Sequence, residues 1–271
     1  MNGFCSRINR LWRAAMTGFC FALFGLGGLL LSVVWFNLLL LVVRNKARRR
    51  QLARRSISAS FRVFLAVVKG VGVLDYRIEG KAILAQERGC LVVANHPSLI
   101  DYVMLASVMP ETDCMVKAAL LKNPFLSGVI RAADYLINDQ AEKLLPACRQ
   151  RLRQGDTILI FPEGTRTLPG EKMTLQRGAA NIAVRCASDL RLVVIRCTEH
   201  MLGKQSKWYN APPTKPRFTV TVGERVQIGQ FYDAKTQEPA LAARQLNRHL
   251  LRQLQSGTTP GTGMNDASAL S

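Results

Sequence analysis

The segment Asn95–Asp101, NHPSLID, places a histidine and a carboxylate at a spacing that suits proton transfer. A free histidine has a pKa of about 6.5, so an imidazole can remove a proton from a hydroxyl near neutral pH. A carboxylate on the other ring nitrogen would fix the tautomer and stabilise the imidazolium that forms. The segment predicts His96 as a general base and Asp101 as its partner, although a capping or core histidine would show the same short pattern.

The two side chains can meet only if a turn separates them. On one continuous helix a five-residue separation rotates about 500°, which leaves the side chains roughly 140° apart. A strand over Cys90–Ala94 and a helix over Pro97–Met109 would instead leave His96 at the strand-to-helix turn, with Pro97 as the first helical residue. We therefore expect the imidazole to fold back towards Asp101.

A second segment, Phe161–Arg166, has the sequence FPEGTR and ends another candidate strand, Thr157–Phe161. Gly164 permits close approach of the backbone to a ligand, and Arg166 offers a forked cation for a phosphate or carboxylate. Glu163 would hydrogen-bond an acceptor hydroxyl or orient Arg166. A surface turn that carries a Glu–Arg ion pair is the competing interpretation.

Together the two segments favour acyl transfer to a lipid-like acceptor. The chain has no G-x-S-x-G turn of the kind that presents a nucleophilic serine. Direct attack of an acceptor hydroxyl on an acyl thioester is therefore simpler than a covalent acyl-enzyme on Ser98. The three histidines and seven scattered cysteines, none spaced C-x-x-C, indicate neither a metal site nor a disulfide framework.

The rest of the chain alternates between short apolar runs and helical patterns. The candidate strands are Leu74–Ile78, Cys90–Ala94, Thr157–Phe161, Leu192–Cys197 and Phe218–Val222, and the candidate helices are Pro97–Met109, Ala141–Gln154, Arg177–Ala187 and Pro239–Leu254. This alternation predicts an α/β domain over residues 74–255, with a mixed sheet flanked by helices. Residues 56–73 suit an interfacial or packing helix, and residues 256–271 are expected to be a disordered tail.

Residues 1–55 are expected to form an N-terminal membrane anchor with basic flanks. Within them, Gly18–Val43 contains 26 consecutive uncharged residues, which as a helix would extend about 39 Å. The run is too long for the apolar part of a cleaved signal peptide, so we expect it to be retained. The heavier basic charge after it predicts a cytoplasmic catalytic domain at the cell inner membrane. A single span and a re-entrant hairpin bent at Gly25–Gly28 both fit the sequence.

The formal net charge is +19, and the first 55 residues carry ten basic and no acidic side chains. A basic cluster beside an apolar helix indicates attraction to anionic membrane lipids. The same positive field would attract acidic co-substrates such as coenzyme A thioesters or acyl carrier protein. The sequence has no helix-turn-helix pattern, zinc-finger spacing or aromatic-basic RNA-binding motif, so a nucleic-acid partner is not expected.

The two segments, in this order after an N-terminal membrane segment, closely resemble blocks one and three of the 1-acylglycerol-3-phosphate acyltransferase family, which are PlsC-like glycerolipid acyltransferases. The resemblance covers residues 74–228. It implies an α/β domain with a hydrophobic acyl tunnel, and acyl transfer from an acyl thioester to a lipid acceptor without a metal or bound cofactor. It also implies that His96 and Asp101 are the catalytic pair. The residues that it places around the acceptor are Glu163, Gly164, Thr165 and Arg166.

Two departures from the family pattern bear on the acceptor. The second block of the family has the form G-x-x-x-I-x-R, whereas the matching stretch here ends at Asp139. The fourth block normally carries prolines in its strand, and Leu190–Ile195 has none. Asp139 favours an acceptor with an amine or a neutral hydroxyl, such as an aminoacyl lipid, a glycolipid or a polyketide-derived lipid, unless Arg131 or Lys143 restores a phosphate contact. A catalytically inactive membrane scaffold is the remaining alternative.

Overall fold

A computed structural model describes residues 3–138, 141–167, 170–199, 201–202, 207, 209–234 and 237–258. The helices are α1 (Gly3–Leu30), α2 (Phe36–Val42), α3 (Lys46–Gly70), α4 (Lys81–Gln86), α5 (Asp101–Val108), α6 (Pro124–Ala133), α7 (Ala141–Arg153), α8 (Gly178–Cys186) and α9 (Pro239–Thr258). The strands are β1 (Asp75–Glu79), β2 (Leu91–Ala94), β3 (Asp113–Lys117), β4 (Leu136–Asn138), β5 (Ile158–Ile160), β6 (Leu190–Cys197) and β7 (Arg217–Val226).

Within the described ranges, the strands form one seven-stranded sheet in the order β1-β7-β6-β2-β5-β3-β4. Neighbouring strands from β6 to β4 are parallel, β6 pairs antiparallel with β7, and β7 pairs parallel with β1. The predicted mixed sheet is confirmed, and each of the five predicted strands is present within a few residues of its expected bounds. Strands β3 and β4 and helices α4 and α6 are additions that the sequence patterns did not indicate.

The sheet brings the two sequence motifs to one edge. Strands β2 and β5 are adjacent and parallel, and Val93 is in register with Ile160. Three residues beyond this pair, the chain reaches His96 from β2 and Glu163 from β5. Because parallel strands end at the same side of a sheet, the motifs emerge as neighbouring loops.

The N-terminal helices form a hairpin that packs along the domain. Helix α1 continues through a π-helical turn (Leu31–Trp35) into α2, and α3 runs back after the connection at 43–45. Asn45 caps α3, because its side chain accepts a hydrogen bond from the Arg48 N–H. Helix α3 crosses the predicted boundary between residues 55 and 56, so the arginine-rich stretch belongs to the same helix as the residues that follow it.

A buried ion-pair network attaches this hairpin to the sheet. Arg54 of α3 lies 2.7 Å from Asp113 of β3 and donates a 2.9 Å hydrogen bond to the carbonyl of Ala133. Arg151 of α7 lies 3.3 Å from the same Asp113 carboxylate. Arg54 and Asp113 are almost fully buried, so both are costly to desolvate and need each other as partners. The network fixes α3 against the end of the sheet opposite His96.

Among the described residues, one helix, Arg7–Val42, is long and apolar enough to cross a membrane, and 11% of its most apolar window is buried. Many of its large apolar side chains are exposed. They include Leu11, Trp12, Phe19, Leu26, Leu30, Val33, Val34, Leu38, Leu40, Leu41 and Val42. At the other end of the chain, residues 256–258 belong to α9, so the predicted tail does not begin at 256, and residues 259–271 lie outside the described residues.

Candidate active site

His96 and Asp101 are in direct contact, as the turn between them requires. The imidazole Nδ1 lies 2.9 Å from the Asp101 Oδ2. The backbone N–H of Ser98 donates to the same oxygen at 2.7 Å, and the Ser98 hydroxyl donates to Oδ1 at 2.7 Å. Asp101 is fully buried, whereas the His96 side chain keeps 21% of its surface exposed. The carboxylate is thus held inside the turn and the imidazole faces outward.

The turn differs from the expected one in where the helix starts. Helix α5 begins at Asp101 and not at Pro97. The physical reason is the Asp101 side chain, which accepts the Ser98 N–H and hydroxyl and so stabilises a non-helical loop before the helix. This loop allows the His96 imidazole to fold back towards Asp101, as predicted, but Pro97 lies before the helix and not at its first position.

Burial raises the pKa of Asp101 above the usual value for an aspartate. The contact with His96 and the two hydrogen bonds from Ser98 act in the opposite direction, because they favour the charged carboxylate. The ionised state of Asp101 therefore depends on these specific partners and not on solvent. A protonated His96 imidazole would stabilise the ionised Asp101 further, since the two groups carry opposite charges.

The second motif and Thr167, which follows it, hold the backbone of His96 on both sides. The Glu163 Oε1 accepts a 2.7 Å hydrogen bond from the His96 N–H, and the Thr167 N–H donates to the His96 carbonyl at 3.0 Å. The ring of Phe161 stacks on the imidazole, with centroids 4.4 Å apart. Burial raises the pKa of Glu163, while its hydrogen bonds with Thr167 and His96 act in the opposite direction.

Two cations lie at this loop: Arg166 belongs to it, and Lys117 lies beside it. The Lys117 ammonium at the end of β3 donates to the Gly164 carbonyl at 2.9 Å. Arg166 Nη1 donates to the Leu202 carbonyl at 2.8 Å, and the same carbonyl accepts the Leu99 N–H at 3.2 Å. Gly164 has a φ of +68°, in the left-handed region that favours glycine. Glycine at this position therefore lets the chain turn between Glu163 and Arg166.

Asn95 joins two strands immediately before His96. Its side-chain amide donates to the Ile195 carbonyl at 2.8 Å and accepts from the Ile195 N–H at 2.6 Å. Asn95 is 3% exposed. An asparagine makes this two-way contact with a backbone because it carries a donor and an acceptor in one plane. It fixes the end of β2 against β6 and hence the position from which His96 projects.

A cavity of about 640 Å³ opens beside His96. His96, Lys117 and the loop residues Gly164, Thr165 and Arg166 form its polar wall. The other walls are mainly apolar and come from α1, α3, α5, α6 and the segment before β4. They include the aromatic side chains Phe21, Phe24, Phe61, Phe64, Tyr102 and Tyr135. From Lys117 the lining extends back along β3 to Cys114, about 10 Å at 3.3 Å per residue.

The structure brings the predicted catalytic pair and all four predicted loop residues to one place. Gly164, Thr165 and Arg166 line the cavity beside His96. Glu163 differs, since it is 4% exposed, does not line the cavity, and accepts the His96 N–H through its Oε1. Sequence reasoning missed the contributions of Asn95 and Lys117. Asn95 was adjacent to the histidine, but Lys117 lay in a strand that no pattern indicated.

Comparison with known proteins identifies acyltransferases as relatives. A family model described as Acyltransferase matches residues 75–198. The 1-acyl-sn-glycerol-3-phosphate acyltransferase of Helicobacter pylori is 28% identical over 174 residues, which cover 60% of this chain and 69% of the relative. The human 1-acyl-sn-glycerol-3-phosphate acyltransferase beta is 26% identical over 213 residues, which cover 72% of this chain and 73% of the relative.

The fold is also similar to a solved structure. The crystal structure of the 1-acyl-sn-glycerophosphate acyltransferase PlsC from Thermotoga maritima superposes with a TM-score of 0.64 and 19% sequence identity. The superposition covers 93% of this chain and 97% of that chain. At this level of identity the similarity establishes a common fold, which includes the N-terminal helices as well as the α/β domain.

Proposed function

We propose that this chain, which is similar to the PlsC-like glycerolipid acyltransferases in sequence and fold, transfers a fatty acyl group from an acyl thioester to the free hydroxyl of a lysophospholipid acceptor. The observation that carries the proposal is the contact of 2.9 Å between His96 and the buried Asp101 at the polar wall of a large apolar cavity. Such a cavity accommodates acyl chains, while the imidazole stands where a hydroxyl can reach it.

In the proposed reaction His96 is the general base. Its Nδ1 is held by Asp101, and no described residue hydrogen-bonds its Nε2. Nε2 accepts the proton of the acceptor hydroxyl as the oxygen attacks the thioester carbonyl. The C–S bond then breaks, the new ester forms, and the proton passes from the imidazolium to the leaving thiolate. Asp101 remains ionised and stabilises the imidazolium through both steps.

Direct transfer is favoured over an acyl-enzyme on Ser98. The Ser98 hydroxyl donates to the Asp101 carboxylate at 2.7 Å, and the residue is 1% exposed. A serine nucleophile needs both access to the thioester and a base that accepts its proton. Ser98 has neither, because it is buried and its hydroxyl serves to hold the carboxylate. The proposed reaction therefore involves no covalent intermediate, metal or bound cofactor.

The proposed acceptor carries a phosphate. Lys117 and Arg166 both line the cavity, and Lys117 contacts the loop that holds His96. A phosphate near these cations would leave the neighbouring glycerol hydroxyl within reach of the imidazole. Arg131 and Lys143, suggested from sequence as substitutes for the missing family arginine, are exposed and are not among the residues that line the cavity. Asp139 lies outside the described residues.

The proposed location is one leaflet of the inner membrane, with the α/β domain on the cytoplasmic side. Helix α1 is attached to the domain near its start, where Arg13 donates to the carbonyls of Pro212 and Pro213 at 2.7 Å each. Near the turn of the hairpin, Phe36 and Leu39 are buried against α3 and α6. A helix packed on the domain at both ends would have to carry that domain across the bilayer, so a re-entrant hairpin is favoured over a span. The bend of this hairpin lies at residues 43–45 and not at Gly25–Gly28 as expected, because α1 is continuous over Gly3–Leu30. Cysteine substituted at Lys46 should react with an impermeant thiol reagent from the cytoplasmic side, and labelling from the opposite side would establish a span.

An acceptor panel tests the proposed substrate. Rates with lysophosphatidic acid are expected to exceed those with lyso-ornithine lipid and with monoacylglycerol, because only the first pairs its phosphate with Lys117 and Arg166. In the Lys117→Met variant, the KM for lysophosphatidic acid is expected to rise by about 10-fold to 100-fold, in line with a lost charge-assisted hydrogen bond. The rate with monoacylglycerol serves as the control and should change little.

A preference for lyso-ornithine lipid, with no reaction of lysophosphatidic acid, would overturn the phosphate acceptor and restore the interpretation based on Asp139. If none of the tested acceptors were acylated, the alternative of a catalytically inactive membrane scaffold would be favoured instead. The contact between His96 and the buried Asp101 supports catalysis over a scaffold, since the imidazole keeps 21% of its surface exposed at the cavity.

A further inference from the structure

We infer that Glu163 is a positioning residue for His96 and not a contact for the acceptor. The inference rests on the proposed function, because it assigns a part in the same reaction. Glu163 lies in the loop after β5, and its carboxylate accepts the backbone N–H of His96 at 2.7 Å. It thereby connects the loop that follows one strand to the base that follows the neighbouring strand.

The contact is part of a clamp on the His96 main chain. Glu163 holds the N–H and the Thr167 N–H holds the carbonyl at 3.0 Å, so one loop contacts both sides of the residue. Phe161, from the same loop, stacks on the ring. Asp101 orients the ring through Nδ1, but a single hydrogen bond leaves rotation about that axis open. The backbone contacts and the stacked ring remove this freedom.

The surroundings of Glu163 argue against a role in acceptor binding. Glu163 is 4% exposed and does not line the cavity, whereas Gly164, Thr165 and Arg166 directly after it do. The left-handed turn at Gly164 separates the two sets. A carboxylate close to a phosphate would also repel it. The loop therefore has two faces: Glu163 supports the base, and the residues after the glycine face the substrate.

The expected effect follows from what the carboxylate does. Loss of the contact leaves the His96 N–H without its partner and lets the imidazole shift relative to the thioester. A displacement of about 1 Å can lower the rate of a catalysed step by about 10²-fold. Because the acceptor does not contact Glu163, its KM should remain nearly unchanged.

Two conservative variants of Glu163 distinguish the effect of side-chain length from the effect of the negative charge. Glu163→Gln keeps an oxygen at the same distance but removes the charge, whereas Glu163→Asp keeps the charge but shortens the side chain by one carbon, about 1.5 Å. With lysophosphatidic acid, kcat of Glu163→Gln is expected within about 3-fold of wild type, and kcat of Glu163→Asp about 10-fold to 100-fold lower. The acceptor KM should stay within about 2-fold in both.

Controls distinguish failure of this inference from failure of the proposed function. Glu224→Gln and Glu224→Asp make the same changes at an exposed position on β7, and neither should affect kcat. Inactive wild-type protein would overturn the proposed function itself. Active wild-type protein with Glu163→Asp equal to or better than Glu163→Gln, or with a raised acceptor KM as the main effect in either variant, would overturn the positioning role alone.

Discussion

Replacement of His96 by alanine is expected to lower acyl transfer by about 10²-fold to 10⁴-fold, the usual contribution of a positioned general base. The loss should appear in kcat, because the imidazole accepts the proton in the transition state and lines only a small part of a cavity of about 640 Å³. Initial rates of thiol release from an acyl thioester at saturating lysophosphatidic acid measure the effect. The acceptor KM should change by less than about 3-fold.

The matched control is His249→Ala. His249 lies on α9 and packs against Phe231, with ring centroids 5.0 Å apart, and it does not line the cavity. Its loss should leave the rate of acyl transfer close to that of wild type. If both variants were equally impaired, the loss at His96 would reflect damage to the fold. If neither were impaired, His96 would not be the base.

The second large effect is expected at Asp101. Asp101→Asn should lower kcat by about 10²-fold to 10⁴-fold. Asparagine presents one oxygen and one amide nitrogen where three donors now converge: the His96 ring, the Ser98 N–H and the Ser98 hydroxyl. An amide that donates to Nδ1 would move the ring proton to Nε2, and that nitrogen could then no longer accept the proton of the acceptor hydroxyl.

A control and a double variant sharpen this test. Asp75 of β1 forms an ion pair with Lys69 of α3 at the protein surface. Asp75→Asn removes this pair and should leave the rate unchanged. The double variant His96→Ala/Asp101→Asn should be little slower than His96→Ala alone, because the carboxylate acts through the imidazole. Multiplicative losses would show that Asp101 acts independently, most simply by supporting the turn through Ser98.

The catalytic turn could be predicted from sequence because its determinants are local. A β-rich run followed by Asn95, His96 and Pro97 marks a strand end, and the helical rotation excludes contact between His96 and Asp101 within one helix. The predicted start of α5 at Pro97 was wrong, because the hydrogen bonds from Ser98 to the Asp101 side chain stabilise a loop there and the helix begins at Asp101.

The roles that sequence reasoning missed depend on contacts between distant segments. Lys117 faces the site because β3 pairs with β5 and β4, and the short run Asp113–Lys117 has polar residues at both ends that conceal a strand pattern. The backbone contact of Glu163 depends on the register between β2 and β5. The extent of α3 was missed because its arginines resemble a solvated flank, whereas Arg54 is buried against Asp113.

The central claim is that acyl transfer runs directly from the thioester to a glycerolipid hydroxyl at His96. Its most direct test measures thiol release by the purified protein in vesicles of anionic lipid, with acyl-coenzyme A and acyl carrier protein thioesters, with and without lysophosphatidic acid. Direct transfer at His96 predicts that thiol is released only when the acceptor is present, in an amount equal to the diacyl product, and that this release is lost in His96→Ala. An acceptor-independent burst of thiol with a covalently acylated protein, or equal product from the His96→Ala variant, would contradict it.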